Sequence, residues 1–101
     1  YFEFIAEDDA MFPILDVGDV ALVYKQTEID NISAPNKGTY LIKLGNKNTI
    51  RKIVLNEDKN GYSLIAMNPY HKIIGISKDE LYSKIQIMGK VVKSENKSAF
   101  K

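Results

Sequence analysis

The sequence predicts a mostly β domain, and two features predict it. Short runs of β-branched and aromatic residues recur along the chain, and turn-forming residues separate them. Only one stretch carries helix-start chemistry. Ser77 and Glu80, three residues apart, can cap a single helical turn through Tyr82, and a plain turn fits there equally well.

Residues 1–5 form the first strand candidate. Val17-Gly18-Asp19 makes a turn in which Gly18 supplies a positive φ. Residues 20–24 follow as an apolar run of the kind that is buried on both faces. Residues 27–36 are polar, end in Pro35-Asn36 and read as a mobile loop. Gly38 introduces a strand over 39–44, Gly45-Asn46-Lys47-Asn48 forms a hairpin turn, and residues 49–55 return. A second turn over 56–61 ends in Asn-Gly and leads into a strand over 62–66, which Asn68-Pro69 breaks. A short strand over 73–76 and a closing strand over 85–92 complete the set. The expected organisation is one domain over 1–94 with a polar tail at 95–101.

Bulk composition excludes several classes. A chain of 101 residues supports one core. A net charge of +1 lacks the basic excess of a nucleic-acid binder. With no cysteine and a single histidine, His71, thiolate and histidine-cluster metal sites are not expected, and no cofactor is expected either. No apolar run approaches the roughly 20 residues that span a bilayer. Absence of cysteine fits a reducing cytoplasm. The start at Tyr1 inside an apparent strand suggests a fragment whose N-terminal part has been removed.

Two segments carry the functional signal. The first runs Ala6-Glu7-Asp8-Asp9-Ala10-Met11-Phe12-Pro13 and closes on Gly18-Asp19; the second is Thr49-Ile50-Arg51-Lys52-Ile53. With the strand before Asn68-Pro69 and the closing Gly89-Lys90-Val91-Val92, they resemble the LexA/phage-repressor self-cleaving family, the S24 serine peptidases. That family places a nucleophilic Ser in a Gly-Asp-Ser-Met-x-Pro pattern and a general-base Lys in a Thr-x-Lys-basic-apolar pattern. The resemblance implies a LexA/signal-peptidase-like domain of short, strongly bent antiparallel strands. It puts Ala10 at the nucleophile position and Arg51 at the base position, with Asp9, Ala10, Met11 and Arg51 lining the cleft.

Neither position keeps its chemistry. A methyl group cannot attack a carbonyl, and a guanidinium stays charged where a buried lysine can give up its proton. Asp8 departs from the family's usual Gly and adds negative charge, so a salt bridge from Asp8 or Asp9 to Arg51 is a possible pairing. Reading Lys52 as the base instead would slip the strand by one residue and turn the side chain to the opposite face. Met11 and Pro13 are expected to shape the turn, and His71 is expected to be solvated.

The resemblance further implies a two-fold interface on the closing strand, involving Ile87, Gly89, Lys90, Val91, Val92 and Lys93. The leading expectation is therefore the dimerisation domain of a bacterial or prophage repressor that cannot cleave itself. Its partners would be a second copy, DNA through a separate helix-turn-helix domain, and an antirepressor protein; no membrane is involved. Two alternatives stay open. One is an active self-cleaving protein, of the LexA or UmuD type, captured as an Ala10 mutant. The other is a module that holds a peptide as an added strand.

Overall fold

Side-chain alternation sets the architecture. In the computed structural model, which describes residues 1–29, 38–57 and 60–95, the strands are β1 (Phe2–Ile5), β2 (Val20–Lys25), β3 (Gly38–Leu44), β4 (Lys47–Leu55), β5 (Gly61–Ile65), β6 (Ile74–Ser77) and β7 (Ile85–Glu95), with one helical turn, α1 (Leu81–Lys84). They form one antiparallel sheet in the order β1-β2-β7-β3-β4-β5-β6. The last strand therefore lies inside the sheet, paired on both sides. The domain is mostly β, as the strand runs predict.

Neighbouring residues of β3 feed two separate cores, because successive side chains point to opposite faces. Tyr40 and Ile42 join Ile53, Leu64, Ile76, Leu81, Ile85 and Ile87. Leu41, between them, joins Met11, Leu15, Ala21, Val23 and Ile50. The strand buried on both faces is thus β3, not β2 as its apolar run suggests. On β2 only Ala21 and Val23 are fully buried, and Tyr24 is exposed, because the second core covers one of its faces.

Two register shifts bend the pairing of β7, one against β2 at Leu22/Val23 and one against β3 at Leu41/Ile42. Gly89 sits where β2 comes closest. A Cβ there would meet the backbone oxygen of Tyr24 at 2.7 Å as well as the Val23 side chain.

Turn boundaries differ from the sequence reading at Gly61, which belongs to β5, and at the β3–β4 hairpin. Leu44 pairs with Lys47 and Lys43 with Asn48, so the hairpin loop is Gly45-Asn46 alone, with Gly45 at φ 61°. Lys47 and Asn48 are strand residues whose polarity reflects exposure rather than turn chemistry. The helical turn expected near Ser77 is present. Ser77 N–H donates to Glu80 Oε1 and Glu80 N–H to Ser77 Oγ, each at 3.2 Å, and the helix runs on to Lys84. Most of the polar 27–36 loop, part of the 56–61 turn and the tail from residue 96 lie outside the described residues. No helix among the described residues is long and apolar enough to cross a membrane.

Candidate functional site

The segment between β1 and β2 is a closed loop. Its base is pinned by Ala6 N–H to Asp19 O at 2.8 Å and Gly18 N–H to Ala6 O at 2.9 Å. Gly18 takes φ 90°, as expected of the turn glycine, and Asp19 is fully buried with its carboxylate accepting from Asp16 N–H at 2.8 Å. Met11 O accepts from Ile14 and Leu15, so Met11 does shape the turn, and its side chain joins the second core. Phe12-Pro13 is a cis peptide.

One carboxylate ties this loop to β4. Asp8 Oδ1 accepts from Ala10 N–H at 3.1 Å, and Asp8 Oδ2 accepts from the Thr49 hydroxyl at 2.8 Å. The Thr49 oxygen in turn accepts from Arg51 Nη1, which also donates to Ile50 O at 3.1 Å. Arg51 Nη1 lies 4.0 Å from Asp8 Oδ2. Residues 10 and 51 are thereby joined through Asp8 and Thr49. Of the two carboxylates the sequence offers to Arg51, the structure uses Asp8. Burial pushes the Arg51 guanidinium below its ordinary value, and Asp8 partly offsets this.

Asp9 turns the other way. Its carboxylate pairs with His71 Nε2 at 2.6 Å, and this contact holds the Asp9 carboxyl below the usual carboxylate range. Asp9 is exposed and His71 only partly so, which corrects the reading of His71 as a solvated bystander. Asn68 completes the clamp. Its backbone N–H donates to Ala10 O at 2.9 Å, and its buried side-chain amide donates to Asp9 O at 3.1 Å. The Asn-Pro element after β5 therefore holds the backbone of residues 9 and 10.

These contacts close the corner that the sequence predicts as a cleft. Ala10 is 0% and Arg51 6% exposed. The space beside Asp8 is a cavity of about 10 Å³ lined by Phe4, Ala6, Glu7, Asp8, Met11, Leu15, Thr49 and Ile50. Ala10 and Arg51 do not line it, because Asp8 and the Asn68 loop fill the space around them. Chemically, position 10 offers no nucleophilic oxygen and position 51 no base that sheds its proton, and the Thr49 hydroxyl at this corner donates to Asp8.

Met11 and Leu15, which line this cavity, also border a more open space. A groove of about 340 Å³ runs between Met11, Ile14, Leu15 and Met67 on one side and Val91, Val92, Lys93 and Ser94 on the other, with Thr39 and Lys52 between them. Lys52 does face away from Arg51, as strand alternation requires, and it opens into this groove. Of the residues expected at an interface, Ile87 and Gly89 are buried within this chain, filled by its own core and by β2. Lys90 and Val91 are partly buried; Val92, at 49%, and Lys93 are exposed. The resemblance assigns the closing strand to an interface as a whole, and an apolar pattern on a strand does not distinguish a chain's own core from a partner's surface.

Among the described residues no group of three or more histidine, aspartate or glutamate side chains is placed to hold a metal ion. Sequence reasoning did not single out Asn68 or Thr49 as site residues. Both stand inside the motifs that signalled the family, so the signal was present. The Asp9–His71 contact spans 62 positions and left no local mark.

No curated protein matches the chain closely enough to count as a relative. A family model described as Peptidase S24-like matches residues 1–92, from β1 into the exposed end of β7. That match covers both segments joined at Asp8 and every strand of the sheet, and the chain belongs to the Peptidase S24-like family.

Proposed function

We propose that this domain is the dimerisation or oligomerisation module of a bacterial or prophage helix-turn-helix transcriptional repressor and cannot cleave itself. The observation that carries the reading is what stands at the joined corner: Ala10 and Arg51, bridged through Asp8 and Thr49. A peptidase of this family needs a hydroxyl and a base that can shed its proton, and alanine and arginine supply neither. The scaffold would then serve assembly.

The half-exposed Ile14, Met67 and Val92 around the groove support that role, since they offer apolar area on one face of the domain. In a two-fold pairing, each surface meets its own copy. Linking two DNA-reading domains raises the effective concentration of the second half-site contact. Such a repressor acts in the cytoplasm, and its release from DNA requires a route other than self-cleavage, such as an antirepressor protein covering this face.

Sedimentation over a range of concentrations tests the assembly role. The expected result is reversible self-association that Val92→Asp weakens at least about tenfold, because the introduced charge meets its own copy. A strict monomer at every concentration removes the role and leaves the fold untouched.

The rival reading is a self-cleaving peptidase captured with alanine in place of its serine. Arg51 argues against it, since one engineered change leaves the lysine behind. Installing Ala10→Ser and Arg51→Lys in the full-length protein, with Asp8→Gly to free the residue-10 N–H, tests for a preserved reaction at alkaline pH. The native codon at position 10 decides the matter independently.

A further inference from the structure

A buried guanidinium needs both its charge and its donors answered. Arg51 Nη1 serves Thr49 and Ile50, whereas Arg51 Nε is buried and has no hydrogen-bond partner among the described residues. The carboxylate oxygen that pairs with it, Asp8 Oδ2, stands 4.0 Å from Nη1, beyond hydrogen-bond reach. Asp8 places its two oxygens on other donors, Ala10 N–H and the Thr49 hydroxyl. Three kinds of donor thus surround one carboxylate, and the strongest of them is only partly used.

We propose that Ala10 N–H, the Thr49 hydroxyl and the Arg51 guanidinium form a carboxylate-binding site, which Asp8 occupies in cis and a peptide carboxylate enters when Asp8 swings out. The proposal rests on the reading of this corner as catalytically silent and names what it binds instead. The Asp8 side chain is 26% exposed, so it has a path outward. The adjoining cavity of about 10 Å³ holds at most one water, so an incoming carboxylate replaces Asp8 rather than joining it. An arriving group that reaches Nε together with Nη2, the edge of the guanidinium on which Nε has no partner, gains the bidentate geometry Asp8 lacks. Glu7 lines the same cavity, and its negative charge opposes an incoming anion and weakens its binding. A chain terminus and an acidic side chain both carry the required carboxylate.

Acetate is the probe, because Asp8→Gly deletes a methylene-carboxylate unit that acetate restores. Acetate is titrated against chloride at matched ionic strength while NMR follows the Ala10 amide and the Arg51 Nε–H. The expected result is a saturable shift of both signals in Asp8→Gly, at least about tenfold weaker in the wild type, where the site is open only a small fraction of the time. Adding Arg51→Gln abolishes the Ala10 response. Asp8→Ala serves the same test should the glycine variant unfold.

On the wild type, a short peptide with a free C-terminus, its C-terminal amide, and an amidated peptide with an internal aspartate separate the two sources. At least one carboxylate-bearing peptide shifts the Ala10 amide, and the neutral one does not. No saturable shift in the Asp8 variants, a shift that survives Arg51→Gln, or no response of the wild type to either carboxylate peptide overturns the proposal. Sedimentation of the same samples reads the assembly role separately, so the two can fail independently.

Discussion

The corner around Ala10 and the groove beside Val92 lie on one sheet and obey opposite rules. At the corner nearly everything is buried, and polar groups answer one another in sequence from Arg51 through Thr49 and Asp8 to Ala10. In the groove, Met67, Ile14 and Val92 stay about half exposed beside Lys52 and Lys93, with nothing among the described residues covering them. The contrast teaches that burial and internal hydrogen bonds govern the corner, Arg51 Nε apart, whereas the groove keeps apolar area exposed. Changes at the corner should therefore be felt as stability, and changes in the groove as association.

The largest effect should come from β7, where Gly89 is packed against β2 and Val92 lines the groove. Gly89→Val forces a branched side chain against Tyr24 O and Val23, and overpacking of this kind costs about 3 kcal/mol. Val92→Asp, three residues along β7, should change stability by no more than ~0.5 kcal/mol while weakening association. Urea unfolding of both variants checks this; equal losses would mean that β7 has no core half and surface half.

Next in size is the clamp. Asn68→Ala removes one of the two donors to Asp9 O, the other being Phe12 N–H, and removes the acceptor for Tyr70 N–H, for an expected loss of about 1–2 kcal/mol. Thr49→Val should cost about 1–2 kcal/mol, since it unlinks Asp8 from Arg51. A neutral result for Thr49→Val in urea unfolding would show that the chain of hydrogen bonds carries no stability.

The smallest effect is read against pH. The folded pKa of Asp9 lies below its ordinary value of 3.8, first through the His71 hydrogen bond. The unfolded state then binds protons more readily than the folded one. The contact's stabilisation is therefore complete above the ordinary value and is lost as pH falls through the folded one. His71→Ala should flatten the urea midpoint in that acid window only in part, because Glu80, held low first by Lys84, contributes in the same direction. An unchanged acid profile would show that the Asp9–His71 contact is not formed in solution.

The strands were legible because each is a run of β-branched and aromatic residues bounded by turn chemistry, and the Ser77/Glu80 pair announced the one helical turn. The hairpin boundary was not, because Lys47 and Asn48 are polar for reasons of exposure and still pair across the ladder. At the site, residue identities carried the chemistry: alanine and arginine can be judged without coordinates. Burial could not be judged in this way. Nothing local says that Ala10 is sealed by Asn68, or that Asp9 turns to His71 and leaves Arg51 to Asp8. The same limit applies to β7, where Ile87 faces inward and Val92 outward although both are apolar.

Self-cleavage of the full-length natural protein is the most direct measurement. Held at about pH 10, where a lysine base is substantially unprotonated, the protein should show a single intact mass by mass spectrometry, because neither Ala10 nor Arg51 can begin or assist hydrolysis. A time-dependent pair of fragments would contradict the account.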